Sequence, residues 1–330
     1  MILSEETLRA VLIGAVDMAR VGPAFRAVRM PAAIAPLYRP VEGLATRMDC
    51  PAGVRLRFRT DSAFVNLALH YDGRFARANG RGAVVVDGGL PGQGFGSAAP
   101  AGHWRGQVFH QDAPRHRLID IWLPHMSVAD VGEVEVQDGC DVSPAPLALR
   151  WLALGDSITQ GMESSLPTLC HVARCALAID AEAFNLGVGG ATMRAELALA
   201  ARALPADIIS IAYGTNDFLT DVPPREFAQA AEELLRETLA ANASAPILLM
   251  TPLSAPGRRE PNHLGAKLQD YRDALGPLAG MSPRIALVDG TELLPDDSAM
   301  FADGLHPNDA GFVTYTRNLL GHMREAMVTA

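Results

Sequence analysis

The sequence predicts a two-part protein, in which an all-β sandwich or jelly roll precedes a parallel sheet with helices on both faces. Short strand-like runs without long helices fill residues 35–145. From residue 149 onward, apolar runs alternate with segments of helix length, which is the pattern of βαβ units. The proline-rich stretch Ser143–Pro146 separates the two patterns. We therefore predict one domain at 1–145, including an N-terminal helix, and a second at 149–330.

The composition indicates a folded protein with a large core. The chain has 330 residues, of which 49% are hydrophobic and 20% are charged, and its mean hydropathy is +0.12. This profile is typical of globular proteins. The net charge is −9 and no Lys/Arg-rich run occurs, so nucleic acid is not an expected partner. The four cysteines form neither paired CxxC spacings nor a Cys/His cluster, so we expect no zinc site and no cofactor.

The N-terminal segment predicts a short helix and not an export signal. Glu5 and Glu6 stand where a signal peptide carries basic residues, and no long apolar core follows. Ser4 is placed to cap a helix in which Leu8 and Val11 recur at helical spacing. No stretch of 18 apolar residues occurs, so a membrane is not an expected partner. These features together predict a cytoplasmic location.

Alternation and turn signals indicate the strands of the first part. In Val54–Arg59 apolar and basic residues alternate strictly, which predicts a half-buried strand with arginines on its outer face. Asp–Gly pairs at 72–73 and 87–88 predict tight turns. Regular short strands of this kind favour a sandwich or jelly roll. Further strands are expected at 64–71, 82–88, 117–123 and 132–136.

The second part is predicted to contain five strands, each joined to the next through a helical segment. The strands are expected near 151–155, 182–187, 207–213, 246–251 and 284–288. The helices are expected near 165–178, 192–203, 224–241, 265–278 and 308–327. In open α/β sheets, sites lie at the carboxyl ends of the strands. The loops after the first three strands and before the last helix are therefore expected to meet at one edge.

Three residues in these loops could form a nucleophilic site. Ser157 follows the first strand and is the candidate nucleophile, which needs a base to accept its proton and a group to orient that base. His306 is the candidate base, and Asp303, three residues earlier, is the candidate orienting carboxylate. Other interpretations stay open from spacing alone. Ser157 could be a helix N-cap, Asp303 could cap a loop, and a lone histidine is more often structural.

Two further loops offer hydrogen-bond donors for an oxyanion. Asn185–Gly190 forms a glycine-rich turn after the second strand, and the backbone N–H of Gly190 is the candidate donor. The amide of Asn216, after the third strand, is the other candidate. Both motifs could instead serve only to form turns. The run after the second strand is not GxGxxG, so it is weak evidence for nucleotide binding.

Four short blocks together resemble those of the SGNH, or GDSL, hydrolases. They occur in family order within residues 149–325: Gly155-Asp156-Ser157, Gly190 in an Asn-x-Gly-x-x-Gly turn, Gly214-x-Asn216-Asp217 and Asp303-x-x-His306-Pro307. The resemblance implies a flavodoxin-like three-layer α/β/α fold and serine ester chemistry without a metal. The first half resembles, more loosely, the β-sandwich that precedes the catalytic domain in some GDSL carbohydrate esterases and acyltransferases.

The same resemblance implies a role for each block. Ser157 would be the nucleophile and would also donate its N–H to the oxyanion, together with Gly190 and Asn216. His306 would be the base, and Asp303 would orient it. The predicted function is a serine-dependent ester hydrolase that acts on short acyl esters, such as an acetylated carbohydrate or a small metabolite, through an acyl-Ser157 intermediate.

Two other functions stay open at this stage. The same residues serve a GDSL-type acyltransferase that moves the acyl group to a sugar or natural-product hydroxyl, because only the exclusion of water differs. The third candidate is a carbohydrate-binding module attached to a degenerate hydrolase. The presence of Ser157, Asp303 and His306 argues against it, because an inactive hydrolase does not need all three. For both the hydrolase and the acyltransferase, the expected partner is a substrate that is a small-molecule ester or a carbohydrate ester.

Three features outside the four blocks could influence the substrate. The segment Ser254–Gly265 is a candidate lid, and its Arg258 and Arg259 either face solvent or meet an anionic acyl donor. Trp104, in a glycine-rich stretch, is the best candidate for an exposed aromatic that stacks on sugar, whereas Trp122 is expected in the core. We expect the first domain to pack on the second and to shape one wall of its pocket.

Overall fold

The computed structural model describes residues 1–90 and 94–329, and its first half consists of two antiparallel sheets. The strands of this half are β1 (Leu12–Ile13), β2 (Asp17–Val21), β3 (Ala24–Val28), β4 (Arg55–Thr60), β5 (Phe64–Phe75), β6 (Gly80–Val86), β7 (Phe95–Ser97), β8 (Ala101–His110), β9 (Arg117–Trp122), β10 (Ser127–Val136) and β11 (Val142–Pro144). One sheet has the order β1-β4-β9-β6-β7 with β11 beside β4, and the other has the order β2-β3-β10-β5-β8.

The two antiparallel sheets share one hydrophobic core. Phe58 and Ile121 of the first sheet lie in the same buried cluster as Leu67 and Val134 of the second. Along the first part of β5, buried residues alternate with partly exposed ones, as in a sheet with one face buried. This confirms the predicted β-rich first half. The short helix α1 (Glu5–Val11) also follows the prediction, since the Ser4 side chain accepts a hydrogen bond from the Thr7 N–H.

Arg59 of β4 is exposed, as predicted, but Arg55 and Arg57 do not face solvent, so that part of the prediction is wrong for these two residues. Arg55 and Arg57 are 2% and 8% exposed. Both form ion pairs with the buried Asp120 on β9, and Arg55 also donates a hydrogen bond to the Ala181 carbonyl of the second half. The second half covers the outer face of this sheet at these two residues. The apolar residues of β4 therefore face the core between the two sheets, and Arg55 and Arg57 face a second buried region, between the two halves.

One of the two predicted Asp–Gly turns is wrong and the other is confirmed. Asp72 and Gly73 lie inside β5, where the pairing with β10 shifts register and Gly73 has a φ of +88°. The left-handed glycine therefore serves a bulge in a long strand. Asp87–Gly88 forms a tight turn after β6, closed by a hydrogen bond from the Gly89 N–H to the Val86 carbonyl.

The two tryptophans of the first half pack in different cores, since Trp122 joins the cluster of the second half and Trp104 packs on the cluster of the first. Trp122 is 1% exposed, as predicted. Trp104 lies on β8 and packs against Phe95 with ring centroids 5.5 Å apart. Trp104 is only partly exposed, because the glycine-rich stretch around it is a strand and not an open loop. The expectation of an exposed aromatic platform at this position is therefore wrong.

A helical segment interrupts the first half, contrary to the prediction of strands from residue 35 onward. Residues Ala35–Leu37 form a 3-10 turn, and α2 (Glu42–Asp49) follows. Met30, Ile34 and Met48 in this region join the core cluster of the second half. The apolar residues of this segment thus pack against the parallel sheet, so they show no strand alternation.

The second half is a five-stranded parallel sheet with helices on both faces, which confirms the predicted three-layer α/β/α fold. The strand order is β13-β12-β14-β15-β16. The strands are β12 (Leu149–Gly155), β13 (Ala181–Asn185), β14 (Ile208–Ala212), β15 (Ile247–Met250) and β16 (Ile285–Val288). The helices are α3 (Ser157–Gln160), α4 (His171–Ala178), α5 (Leu199–Ala203), α6 (Thr215–Leu219), α7 (Pro224–Ala241), α8 (Leu268–Leu275), α9 (Gly290–Leu293) and α10 (Asp309–Thr329).

Each face of the parallel sheet has its own core. Leu152 and Ile209 point to the face covered by α7 and α8. Trp151 and Ile208 point to the face covered by α4 and α10. In the described ranges, no helix is long and apolar enough to cross a bilayer. The chain passes from β11 to β12 between Pro144 and Leu149, and the exact domain boundaries of 1–145 and 149–330 stay a prediction.

Arg29 joins the two halves through a buried charge. Its side chain is 1% exposed and donates hydrogen bonds to the carbonyls of Cys50 at 2.6 Å, Asn185 at 2.7 Å and Arg47 at 2.8 Å. Burial lowers the pKa of Arg29 to about 10, so the guanidinium stays charged at neutral pH. Three carbonyl oxygens satisfy a charge that would otherwise be costly to bury.

We expect His171 to make the fold less stable in acid. Its ring stacks on Tyr315 with centroids 4.2 Å apart, and neither ring nitrogen has a hydrogen-bond partner in the described residues. Burial lowers the pKa of His171 from 6.5 to about 3. Between these pH values the unfolded chain binds a proton at His171 that the folded chain does not. The contribution of the neutral His171 to the free energy of unfolding is therefore complete above pH 6.5 and decreases as the pH falls below that value.

The variant His171→Phe should remove this acid sensitivity. As the pH falls below ~6, the free energy of unfolding of the variant minus that of wild type should increase by about 1.4 kcal/mol per pH unit. Urea unfolding of both proteins at several pH values between 8 and 5 measures the difference. A difference that does not change with pH would contradict the assignment, whatever the variant costs in packing.

Candidate active site

Ser157 lies at the carboxyl end of β12, at the first position of α3. Asp156 is the N-cap of this helix, because its side chain accepts a hydrogen bond from the Ile158 N–H at 2.9 Å. The interpretation of Ser157 as the N-cap is therefore wrong. Gly161 ends the helix in a left-handed conformation with a φ of +96°. The tight strand–helix connection leaves the Ser157 hydroxyl free to contact another loop.

The structure brings Ser157, His306 and Asp303 together. The Oγ atom of Ser157 lies 2.9 Å from Nε2 of His306. Nδ1 of His306 lies 2.7 Å from a carboxylate oxygen of Asp303. If Nδ1–H donates to Asp303, Nε2 is left to accept the hydrogen bond of the serine hydroxyl. The contact joins residues 149 positions apart in the sequence, so local structure alone does not explain it.

The loop before α10 fixes the positions of Asp303 and His306. The second carboxylate oxygen of Asp303 accepts hydrogen bonds from the backbone N–H groups of Leu305 and His306. Desolvation acts to raise the pKa of Asp303, but these bonds and the His306 ring outweigh it, so the pKa is lowered. His306 is 7% exposed, whereas the Asp303 side chain is 43% exposed. Asp303 is therefore held ionised beside the ring and close to solvent.

The glycine-rich turn after β13 packs against α3. A Cβ added at Gly187 would lie 2.4 Å from the Gln160 backbone nitrogen, so only glycine allows this close approach. Gly190, with a φ of +85°, is exposed at the end of the turn. Among the described residues, the backbone N–H groups of Gly190 and Ser157 have no hydrogen-bond partner. Both donors are thus free for a ligand.

Asn216 lies in α6, directly after β14. Its Nδ2 atom is 3.0 Å from the Ala191 carbonyl and 3.4 Å from an Asp156 carboxylate oxygen. The amide is thereby held between the Gly-rich turn and the residue that precedes Ser157. The loops after β12, β13 and β14 therefore meet at one edge of the sheet, as expected for a parallel α/β fold.

Two carboxyl groups lie beneath this edge. Burial raises the pKa of Asp156 to about 7, and the charge of Asp217 adds to the rise. Burial also raises the pKa of Asp217 to about 6, against a hydrogen bond from the Met193 N–H. Both carboxyls therefore change charge close to neutral pH. Strongly shifted carboxyls of this kind are common at functional sites.

Four residues at the site were missed from the sequence. Arg47 of α2 contacts the Gly189 carbonyl through Nη1 at 3.0 Å, and Gln160 of α3 accepts a hydrogen bond from the Gly189 N–H. Arg77, after β5, forms an ion pair with Glu163. No local motif marks these positions, because Arg47 and Arg77 reach the site only through the packing of the first half on the second.

Glu163, Asp303 and His306 form the one group of potential metal ligands found in the described part of the chain. Their ligand atoms lie within 4.8 Å of one another. Each already has a partner, since His306 is bonded to Asp303 and Glu163 pairs with Arg77. The donor set also consists of one imidazole and two carboxylates, without a closed shell of ligands. The arrangement fits an ion-paired network around His306.

The candidate lid segment Ser254–Gly265 lies beside the Asp303–His306 loop. The Gly257 N–H donates a hydrogen bond to the Gly304 carbonyl at 2.8 Å. Arg258 and Arg259 are exposed, and Arg259 pairs with Asp296. Both line an open cavity of about 500 Å³ together with Lys267. A role of this segment in substrate choice stays a prediction.

His125, in the connection from β9 to β10, contacts the end of α3. Its side chain is 1% exposed, and Nε2 lies 2.8 Å from Ser164 Oγ and 3.1 Å from the Gly161 carbonyl. Burial lowers the pKa of His125 to about 4, so the ring is neutral at neutral pH. His125 is therefore a contact between the two halves below the site.

Comparisons with known proteins give a family for the second half. Residues 153–312 match the model of the GDSL-like lipase/acylhydrolase family. No curated protein matches the sequence. Among solved structures, the chain is similar to the salicylyl-acyltransferase SsfX3 from a tetracycline biosynthetic pathway. That match has a TM-score of 0.84 and 22% identity, and it covers 95% of this chain and 94% of the other.

Two further structures share the arrangement of both halves. A protein from Bacteroides ovatus ATCC 8483, described as a GDSL-like lipase, has a TM-score of 0.79 and 16% identity over 98% of this chain and 97% of its own. A family two carbohydrate esterase from Clostridium thermocellum has a TM-score of 0.67 and 16% identity over 84% of this chain and 94% of its own. At these identities the similarity establishes the fold.

Proposed function

Residues 153–312 belong to the GDSL-like lipase/acylhydrolase family, and on this premise we propose that the protein is a serine-dependent ester hydrolase for short acyl esters. One observation carries the proposal. The Ser157 hydroxyl, the His306 ring and the Asp303 carboxylate form a continuous chain of hydrogen bonds at 2.9 and 2.7 Å. Such a chain is what a serine needs to act as a nucleophile near neutral pH.

In the acylation step, Nε2 of His306 accepts the proton of Ser157 as Oγ attacks the ester carbonyl. The Asp303 carboxylate holds the ring by Nδ1 and stabilises its positive charge. His306 then donates the proton to the leaving alcohol as the carbonyl–oxygen bond breaks. The acyl group remains bound to Ser157 as an ester.

The negative charge on the tetrahedral intermediate needs donors that are already in place. The backbone N–H groups of Ser157 and Gly190 and the Nδ2 group of Asn216 are the proposed donors. Two of them have no other partner in the described residues. The third is held by the Ala191 carbonyl at 3.0 Å, and its longer contact of 3.4 Å with Asp156 is the one that an oxyanion would replace. Donors that need no reorganisation are the main source of transition-state stabilisation in acyl transfer.

In the second step, water attacks the acyl-Ser157 carbonyl. His306 accepts a proton from the water and returns it to Ser157, and the carboxylic acid leaves. A sugar or metabolite hydroxyl in place of water would give acyl transfer. This second candidate is favoured by the similarity in fold to an acyltransferase over 95% of the chain. The carbohydrate esterase comparison favours acetylated carbohydrate as a substrate class.

The third candidate, a carbohydrate-binding module without activity, has less support. The aromatic side chain that was expected to stack on sugar, Trp104, packs against Phe95 instead. The contact between Ser157 and His306 would also have no purpose in a binding module. Ester chemistry accounts for the Ser157–His306 contact.

The hydrolase and the transferase can be separated by one assay. Wild-type protein would be given para-nitrophenyl acetate, butyrate and octanoate, with and without sugar alcohols as competing acceptors. We expect turnover to fall with acyl length and the free acid to be the product. Acyl product on the added alcohol, with slow hydrolysis, would favour the transferase. The release of neither product from any ester would contradict short-acyl ester chemistry.

A further inference from the structure

Helix α2 of the first half reaches into the turn that carries the proposed oxyanion donor. Arg47, in the last turn of α2, donates a hydrogen bond from Nη1 to the Gly189 carbonyl at 3.0 Å. A Cβ added at Gly189 would lie 3.1 Å from Cδ of Arg47 and 3.4 Å from Cβ of Ser157. The Arg47 stem and Ser157 therefore both lie next to the space that a side chain at position 189 would fill, so the Arg47 stem packs close to the nucleophile.

The contact with Gly189 determines the direction of the next N–H group. The Gly189 carbonyl and the Gly190 N–H belong to the same planar peptide unit, and in a trans peptide they point in opposite directions. A donor that holds the carbonyl on one side therefore directs the N–H to the other side. The positively charged guanidinium that donates to the carbonyl oxygen also polarises the peptide unit, which makes its N–H a stronger hydrogen-bond donor.

The backbone of Arg47 is fixed independently of its side chain. The Arg47 carbonyl accepts hydrogen bonds from Gln160 Nε2 at 3.0 Å and from Arg29 Nη2 at 2.8 Å. The same Gln160 amide accepts the Gly189 N–H through Oε1 at 2.9 Å. Gln160 thus ties α2 and the glycine turn to α3, three residues after Ser157. Positioning on rigid elements of this kind is needed for accurate geometry at a reacting atom.

Arg47 has no competing carboxylate. The neighbouring Asp49 pairs with Arg39 and Arg74, and within residues 1–90 and 94–329 no carboxylate forms an ion pair with Arg47. The side chain of Arg47 is partly buried, so its charge is only partly screened by solvent. In the described residues, no ion pair therefore draws the Arg47 guanidinium away from the Gly189–Gly190 peptide.

We propose that Arg47 is a positioning residue for acyl transfer at Ser157, which acts by directing and polarising the Gly190 N–H through the Gly189–Gly190 peptide. This inference rests on the proposed function, in which Gly190 is an oxyanion donor. It gives the first half a part in catalysis, beyond packing on the second half. The residue acts on the transition state, so its removal should lower kcat and leave KM nearly unchanged.

The test uses three variants at position 47 and one matched control. Arg47→Met removes the donor and the charge but keeps the length of the stem, and Arg47→Gln and Arg47→Lys are second variants in case the first does not fold. Arg39→Met, in the same segment, removes an arginine that pairs with Asp49 and does not contact the turn. Thermal unfolding checks that each variant is folded.

With para-nitrophenyl acetate, we expect Arg47→Met to lower kcat about 10-fold at a KM within about 2-fold of wild type. Loss of a whole oxyanion donor costs about 10²–10³ in kcat, and here the donor remains but is less well directed. Arg47→Lys should recover part of the rate, and Arg39→Met should have the wild-type rate. An undiminished kcat in Arg47→Met, or an effect confined to the KM of esters that carry a carboxylate, would overturn the proposal.

A second readout does not depend on turnover. In protein labelled with ¹⁵N-glycine, the Gly190 amide resonance reports the hydrogen bond on the preceding carbonyl. It should shift in Arg47→Met and stay in place in Arg39→Met. A Gly190 resonance that does not move would overturn the inference even if kcat fell. Failure of the proposed function would be seen differently, as wild-type turnover that Ser157→Ala does not reduce.

Discussion

Replacing Ser157 by alanine is expected to lower kcat for a short acyl ester by about 10⁴-fold or more, because no other group can form the acyl intermediate. The Oγ atom that is removed is the one 2.9 Å from Nε2 of His306. Some rate above that of water should remain, since the Gly190 and Asn216 donors are unchanged. The measurement is release of para-nitrophenol from the acetate ester under single-turnover and steady-state conditions.

A matched serine variant separates the loss of the nucleophile from a general effect. Ser244 is exposed, in the loop before β15 at the opposite edge of the sheet, and Ser244→Ala should have the wild-type rate. The thermal unfolding midpoint of Ser157→Ala should also match that of wild type, because only one hydroxyl is lost. A Ser157→Ala variant that keeps a tenth of the wild-type kcat would show that the ester bond is broken elsewhere.

Replacing His306 by alanine should have an effect of similar size, on the order of 10⁴-fold or more in kcat. Without the imidazole, the Ser157 hydroxyl has no base to accept its proton and the leaving alcohol has no acid to protonate it. Asp303→Ala should cost less, because its side chain is 43% exposed and solvent can stabilise part of the imidazolium charge. Steady-state kinetics of the two variants give the comparison.

The double variant Ser157→Ala/His306→Ala provides the sharper test of a shared mechanism. Residues that act as one unit have non-additive effects, so the double variant should be about as active as Ser157→Ala alone. His116→Ala, in the first half with an exposed side chain, is the control for loss of an imidazole. Effects that multiply in the double variant would show that His306 and Ser157 act in separate steps.

The sequence predicted the second half closely because its signals are local. Each strand of the parallel sheet is a short apolar run between turn residues, and α7 was placed at its observed limits of Pro224–Ala241. The four blocks around Ser157, Gly190, Asn216 and His306 follow strand ends or precede a helix. Their meeting at one edge therefore follows from the βαβ pattern. The roles assigned to these residues stay proposals.

The contacts between the two halves could not be predicted from the sequence. Alternating arginines on a strand ordinarily indicate a face in solvent, and nothing near Arg55 or Arg57 reveals that the other half covers them. In the same way, α2 shows only a weak local pattern, and its role depends on the distant carbonyl of Gly189. Contacts of this kind depend on how two surfaces fit together, and a single sequence carries no periodic signal for that.

The buried Arg29 limits how this chain could have been assembled or recombined during evolution. Its three acceptors come from residues 47, 50 and 185, so they lie on both sides of the passage from β11 to β12. A recombination event at that passage would separate the guanidinium from the Asn185 carbonyl and leave the buried charge with two of its three acceptors. The smallest unit that could be inherited intact therefore extends beyond the family domain at 153–312 and includes the segment that begins at Arg29.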